Sequence, residues 1–250
     1  MLPVLLWVVT ALAQGAPATP LTVSAAVSLT DVMAEIAAAY RDAGGVSPRF
    51  NFAGSNVLAR QIVNGAPVDV FISADDLQME VVARAGLIGP GSRVIVAGNR
   101  LVVVVAERRV QSVRSVQDLS AADIRRIAIG DPAAVPAGVY ARSYLEKVGL
   151  WSRLEGKIIP SANVRAALTA VENGGADAAI VYATDARIAR HLRVAVAITG
   201  PESPAIVYPA CVLKSSRQAA TAAHFVNFLR GPVAGRIFER HGFLPAPTRP

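Results

Sequence analysis

Beyond residue 20 the chain alternates short β-like runs with helix-patterned stretches, and no other feature limits its possible folds as strongly. Residues 21–27 read as a strand, and residues 29–43 carry Leu29, Val32, Ile36, Ala39 and Tyr40 at helical spacing. Strands are predicted at 49–53 and 68–73, with helices at 56–64 and 76–85. The runs 94–97 and 101–106 are continuously apolar, as in strands covered on both faces. The second half keeps the same style. Strands are predicted at 127–130, 157–160, 178–182, 194–198 and 206–213, and helices at 137–148, 164–173, 184–191, 216–229 and 233–240. This order predicts an α/β fold of open, mainly parallel sheets with helices on both faces. Ligands of such sheets bind outside the carboxyl ends of the strands.

At 250 residues, with no low-complexity linker, the chain suits two lobes joined by strand crossovers. The expected division is 21–101 plus 206–250 for lobe 1 and 102–205 for lobe 2. The crossings are placed near 101–105 and 206–213, and the last helices return to lobe 1. Residues 4–13 form an apolar run of about ten residues, too short to span a bilayer. It closes on Ala11-Leu12-Ala13, the small-x-small pattern of a signal-peptidase site, although no Lys or Arg precedes it. A cleaved signal peptide at 1–13 and a soluble periplasmic product are therefore expected. No cysteine follows that run to carry a lipid, and no other stretch is long and apolar enough for membrane insertion.

The single cysteine, Cys211, excludes an internal disulfide and a CxxC pair, and reads as a buried strand residue. The net charge of +7 is scattered, with only short pairs such as Arg108-Arg109. No basic run is interleaved with aromatics, so nucleic acid is not an expected partner.

The chemistry lies at the strand-to-helix corners. In 130–140, two prolines and a glycine shape a loop that runs directly into a helix. Pro136 has no N–H and suits a helix edge, so the first free donors are the amides of Ala137 and Gly138. A helix N-terminus with free amides is a site for an anion. Similar corners carry Ser28, Ser55, Asn163-Val164-Arg165 and Tyr182. They offer hydroxyls and fresh amides but almost no cations, and a site made only of donors favours a fully deprotonated oxyanion. Each corner also has a plain structural reading. Ser28 with Asp31 resembles a capping box, Gly54-Ser55-Asn56 a turn, Asn163 a helix cap, and Tyr182 a core residue. Arg165 reads as a solvated or supporting residue rather than a direct ligand.

Taken in order, these motifs carry a family resemblance. They are Ala-Ala-Val-Ser-Leu-Thr at 25–30, Phe52-Ala53-Gly54-Ser55 with Leu58-Ala59-Arg60-Gln61, and the run from Gly65 to Ala74. Then come Gly130-Asp131-Pro132 with Val135 to Tyr140, Asn163 to Leu168, Ile180-Val181-Tyr182, and Phe238 to Phe243. The chain resembles the periplasmic molybdate-binding proteins of ABC importers over about 21–244. The resemblance implies a two-lobed fold of the type II periplasmic binding class with the ligand cleft between the lobes. It implies that molybdate or tungstate is held by the hydroxyls and amides of Ser28 and Ser55, the amides of Ala137 and Val164, and the hydroxyl of Tyr182. Molybdenum is then bound only as its oxyanion, with no cofactor, and the implied partners are an ABC permease and its ATPase, with a monomeric receptor. Asn56 and Val57 depart from the family, which commonly has hydroxyl residues there, and Gly54 often stands as another small residue.

Three rivals are carried forward. One is a receptor for another tetrahedral oxyanion such as sulfate. Another is an exported serine hydrolase using Ser28 or Ser55, for which His191, His224 and His241 are the candidate bases, although no Gly-x-Ser-x-Gly elbow surrounds either serine. The third is the sensing half of a transcription regulator, for which no length remains to build a DNA-binding domain.

Overall fold

The computed structural model describes residues 19–247, so the predicted signal peptide lies outside the described residues. The chain builds two five-stranded sheets. The first contains β1 (Leu21–Ala26), β2 (Pro48–Ala53), β3 (Val70–Ile72), β4 (Val94–Asn99) and, from far along the chain, β10 (Ile206–Val212). The second contains β5 (Leu101–Ala106), β6 (Ile127–Gly130), β7 (Ile158–Ser161), β8 (Ala178–Tyr182) and β9 (Leu192–Ala197). The strand orders, β2-β1-β3-β10-β4 and β7-β6-β8-β5-β9, follow one plan. In each sheet three neighbouring strands pair in parallel, and the fourth position is filled by a strand running the other way.

The reversed strands, β5 and β10, are the two that arrive from the opposite sheet. The edge strand β4 ends at Asn99, and after Arg100 alone β5 begins in the other sheet. The edge strand β9 ends at Ala197, and residues 198–205 lead the chain back to β10 in the first sheet. Four of five strands in each sheet therefore share a direction, which is the sense in which the sheets are mainly parallel.

The helices are α1 (Thr30–Asp42), α2 (Ser55–Val63), α3 (Asp76–Arg84), α4 (Pro136–Lys147), α5 (Trp151–Leu154), α6 (Val164–Glu172), α7 (Ala183–Ala186), α8 (Ala219–Arg230) and α9 (Pro232–Arg240). They cover both faces of the first sheet, and strand periodicity assigns the side chains. Val70, Ile72, Ala210 and Val212 pack with Ile36 of α1 and Phe225 of α8. The intervening Phe71 and Cys211 turn to the other face, against Leu58, Ile62, Met79 and Val82 of α2 and α3. Each fully buried side chain of this size contributes about 1.5–3 kcal/mol relative to exposure.

Three sequence expectations change in detail. The helix predicted at 184–191 closes after Ala186, and the final helices begin at Ala219 and Pro232. The strand at 206–213 contains Pro209, which has no N–H for a ladder, and the register slips between Tyr208 and Pro209. The capping box at Ser28 and Asp31 does not form. Ser28 sits in a 3-10 turn, Val27–Leu29, ahead of α1, and the cap position falls on Leu29. Its hydroxyl is thereby freed for a different partner.

Candidate functional site

Four of the predicted corners stand at helix starts at the carboxyl ends of parallel strands. Ser55 is the first residue of α2 directly after β2, and Ala137 is the second residue of α4, behind Pro136. Val164 is the first residue of α6, whose cap Asn163 accepts a bond from the Ala166 amide at 3.0 Å. Ser28 follows β1 in the 3-10 turn. First-turn amides have no intrahelical partner, so each helix aims donors at the space before it. Tyr182 closes β8.

All five residues line one small cavity of about 10 Å³, with Ser28 and Ser55 on the side of the first sheet and Ala137, Val164 and Tyr182 on the side of the second. That is room for about one water molecule, so the walls stand almost in contact. Its walls carry no Lys, Arg, Asp, Glu or His. The two halves touch around it. Gln78 donates to the Ala134 carbonyl at 3.2 Å, and a Cβ added at Gly54 would stand 3.3 Å from the carbonyl oxygen of Ala162.

The local sequence explains the closeness of the walls. Gly138 faces the end of β6, where a side chain would collide with the Gly130 carbonyl oxygen. A glycine there lets α4 start hard against the strand and brings Ala137, whose first-turn amide has no intrahelical partner, to the cavity wall.

The polar atoms are set for donation. Ser55 Oγ accepts from the Ala74 amide at 3.0 Å. Because an amide N–H only donates, the Ser55 proton is left to point forward. Ser28 Oγ lies 3.0 Å from Tyr208 Oη. Tyr182 is 1% exposed and its hydroxyl has no hydrogen-bond partner among the described residues. Burial raises the Tyr182 ionisation well above that of an ordinary phenol, so it keeps its proton as a donor. A buried, unpaired donor costs about 1–3 kcal/mol, a cost that an acceptor in the cavity removes.

Buried carboxyls stand behind the wall on both sides. Asp75 caps α3 through the Gln78 amide at 2.9 Å, and burial pushes its carboxyl up to about 6. Burial likewise pushes Asp185 up to about 6, against the pull of Arg165, whose Nε is 3.0 Å away. Arg165 also pairs with Asp31 and does not line the cavity. Sequence reasoning missed Tyr208, Asn99 and Asp75. The available signals were a hydroxyl inside the apolar 206–213 run and an amide wedged between two apolar strands, both unusual enough to need a buried partner.

The serine-hydrolase reading fares poorly in this geometry. The Ser28 hydroxyl meets a tyrosine, His224 Nδ1 is 2.8 Å from Tyr40 Oη, and His241 Nε2 is 2.8 Å from Glu35. None of the three histidines lines the cavity.

Two sheets exchanging one reversed strand each, with a small uncharged cavity at facing strand ends, define a two-lobed solute receptor of the type II periplasmic binding protein fold. The chain belongs to the family of bacterial extracellular solute-binding proteins, which matches it over residues 21–244. It is 38% identical over 227 residues to the molybdate-binding protein ModA of Escherichia coli (strain K12), covering 89% of this chain and 88% of that protein. The structure of the Azotobacter vinelandii periplasmic molybdate-binding protein superposes with a TM-score of 0.78 at 26% identity, over 91% of this chain and all of that one (100%). The sulfate-binding protein SubI from Mycobacterium tuberculosis H37Rv reaches a TM-score of 0.82 over 91% of this chain and 87% of its own, but at 18% identity, which speaks for the fold alone.

Proposed function

We propose that this chain captures molybdate, and tungstate by the same geometry, in the periplasm and delivers it to a membrane permease driven by an ABC-type ATPase. The observation that carries the reading is the uncharged cavity whose donors come from both halves: Ser28 and Ser55 on one side, Ala137, Val164 and Tyr182 on the other. A naked dianion accepts from all of them, whereas a cation accepts from none and a neutral solute brings donors of its own that the site leaves unpaired. Contacts from two lobes exist together only when the cleft is shut, so the ion shifts the population toward the closed form. That closed form is the signal a permease reads. No step in this cycle breaks a covalent bond, so the protein acts as a carrier rather than an enzyme.

Molybdate, tungstate and sulfate carry the same charge at neutral pH, so discrimination falls to size. Metal–oxygen bonds are longer than sulfur–oxygen bonds, and a cavity with fixed walls places its donors at one distance only. Calorimetric titration of the chain from residue 14 onward tests this. Saturable one-site heat with molybdate, and little with sulfate, is expected. Molybdate at a hundred times its dissociation constant should add about 2.7 kcal/mol of apparent stability. Tighter binding of sulfate overturns the assignment.

A further inference from the structure

Behind Ser28 lies a chain of hydrogen bonds whose direction can be read from the donors at its far end. The Arg100 amide donates to Asn99 Oδ1 at 2.8 Å. A backbone N–H only donates, so this bond fixes which end of the Asn99 amide is oxygen. Asn99 Nδ2 then gives one proton to Thr184 Oγ1 at 2.9 Å and the other to Tyr208 Oη at 3.1 Å. Tyr208 is fully buried, and burial raises its ionisation far above the ordinary phenol, so it retains a proton that needs an acceptor. The acceptor within reach is Ser28 Oγ, at 3.0 Å. If instead Ser28 donated to Tyr208, the phenol would accept twice and strand its own proton in the core.

We infer that Asn99 and Tyr208 are positioning residues that set the hydroxyl of Ser28 as a donor toward the cavity, and so decide that the site takes a fully deprotonated oxyanion over a protonated one. Neither residue lines the cavity; both act through Ser28. The inference rests on the oxyanion reading of that cavity. It also gives the first half a consistent logic, because Ser55 is turned forward by the Ala74 amide in the same way. Asn99 ends β4 immediately before the chain changes sheets, and Thr184 lies in α7 on the far side. The relay is therefore anchored on both halves of the molecule.

The direction of the relay can be reversed. In Asn99→Asp the new carboxylate accepts from Tyr208, Tyr208 accepts from Ser28, and Ser28 turns only lone pairs to the cavity. Hydrogen arsenate, used at about pH 8, is a tetrahedral dianion that still carries one proton, so the wild-type donors leave that proton without a partner. The added negative charge opposes molybdate and hydrogen arsenate alike, and the ratio of their dissociation constants isolates the proton direction. Calorimetry of Asn99→Asp should show that ratio move at least about tenfold toward arsenate. An unchanged ratio overturns the relay.

A double-mutant cycle supplies the second arm. Tyr208→Phe keeps the ring packed on Phe243, 5.4 Å between centroids, and should raise the molybdate dissociation constant about tenfold. Placed on Ser28→Ala, the same change should cost less than about twofold, because the residue it acts through is gone. Equal costs in both backgrounds would mean that Tyr208 is only structural. A wild-type chain giving no heat with molybdate would instead sink the oxyanion reading beneath it.

Discussion

On the proposed reading, the two halves of the cavity bind through different parts of the polypeptide. On the first-sheet side, Ser28 and Ser55 present hydroxyls, each turned forward by a bond received from behind. On the second-sheet side, Ala137 and Val164 present main-chain amides at the starts of α4 and α6, and a single side chain, Tyr182, joins them. A hydroxyl donor belongs to one residue type and is lost with one atom. An amide donor belongs to every residue but proline, so its function is written in the neighbours that shape the helix start. The first half should therefore be sensitive at the binding residues themselves, and the second half beside them.

The sharpest test lies at Gly138. A methyl group there would collide with the carbonyl oxygen of Gly130, so the start of α4 must lift away from β6 and take the Ala137 amide with it. Gly138→Ala should lose molybdate heat below calorimetric detection while circular dichroism still reports an α/β fold. Unimpaired affinity in that variant would break the contrast, since it would mean that the amide tolerates displacement.

Next in size is an effect of the buried carboxyls that back each half. Among the described residues no cation pairs with Asp75 in its capping position, whereas Asp185 has Arg165. The Asp75 carboxyl binds its proton at about 6 in the folded chain, against an ordinary 3.8. Between about pH 4 and pH 6 the folded state thus holds more protons than the unfolded state, and stability falls as pH rises through that window. The cost of ionising it in place is on the order of 2–3 kcal/mol. Asn caps helices as well as Asp does, so Asp75→Asn should keep α3 and remove the Asp75 share of that decline, leaving the share of Asp185, which is also held at about 6. Melting temperatures of the variant and parent across this range give the answer; parallel curves would locate the titration elsewhere.

How much of this was legible in the sequence follows the same division. The alternation of strands and helices was readable because apolar spacing reports a local period. Crossings were expected near 101–105 and 206–213, but the reversal of β5 and β10 was not legible, because both look locally like any buried strand and their direction depends on where β4 and β9 deliver the chain. Ser28 and Ser55 stood out as hydroxyls at corners. Pro136 pointed to the amides of Ala137 and Gly138 because a residue without an N–H leaves them the first free donors of the helix. Tyr208 and Asn99 were missed for a physical reason: they reach Ser28 from 180 and 71 positions away, a pairing no local pattern encodes. The capping-box pattern at Ser28 misled because a 3-10 turn displaced the cap by one residue, from Ser28 to Leu29.

At the serines themselves, removal of either hydroxyl should raise the molybdate dissociation constant about tenfold to a hundredfold, the usual worth of a hydrogen bond to a charged group. Ser28→Ala also strands the Tyr208 proton and Ser55→Ala the Ala74 amide, so each variant should melt earlier as well. Titration calorimetry separates the two losses, since a purely structural role would lower the melting temperature and leave the affinity of the folded fraction intact.

The smallest effect is the most discriminating. Val164 is 3% exposed and packs in the core, yet only its amide is assigned to the ligand. Val164→Ala removes two methyl groups and should destabilise folding by about 1–2 kcal/mol. The cap at Asn163 and the helix start are untouched by it, so the amide stays in place and the molybdate dissociation constant should move by less than about threefold. Urea unfolding without ligand measures the first quantity and calorimetry the second. A large loss of affinity would show that the isopropyl group positions the ion by contact, and the two halves would then no longer differ in kind. Near-constant affinity in a less stable protein would fix the distinction between a wall that binds with side chains and one that binds with backbone.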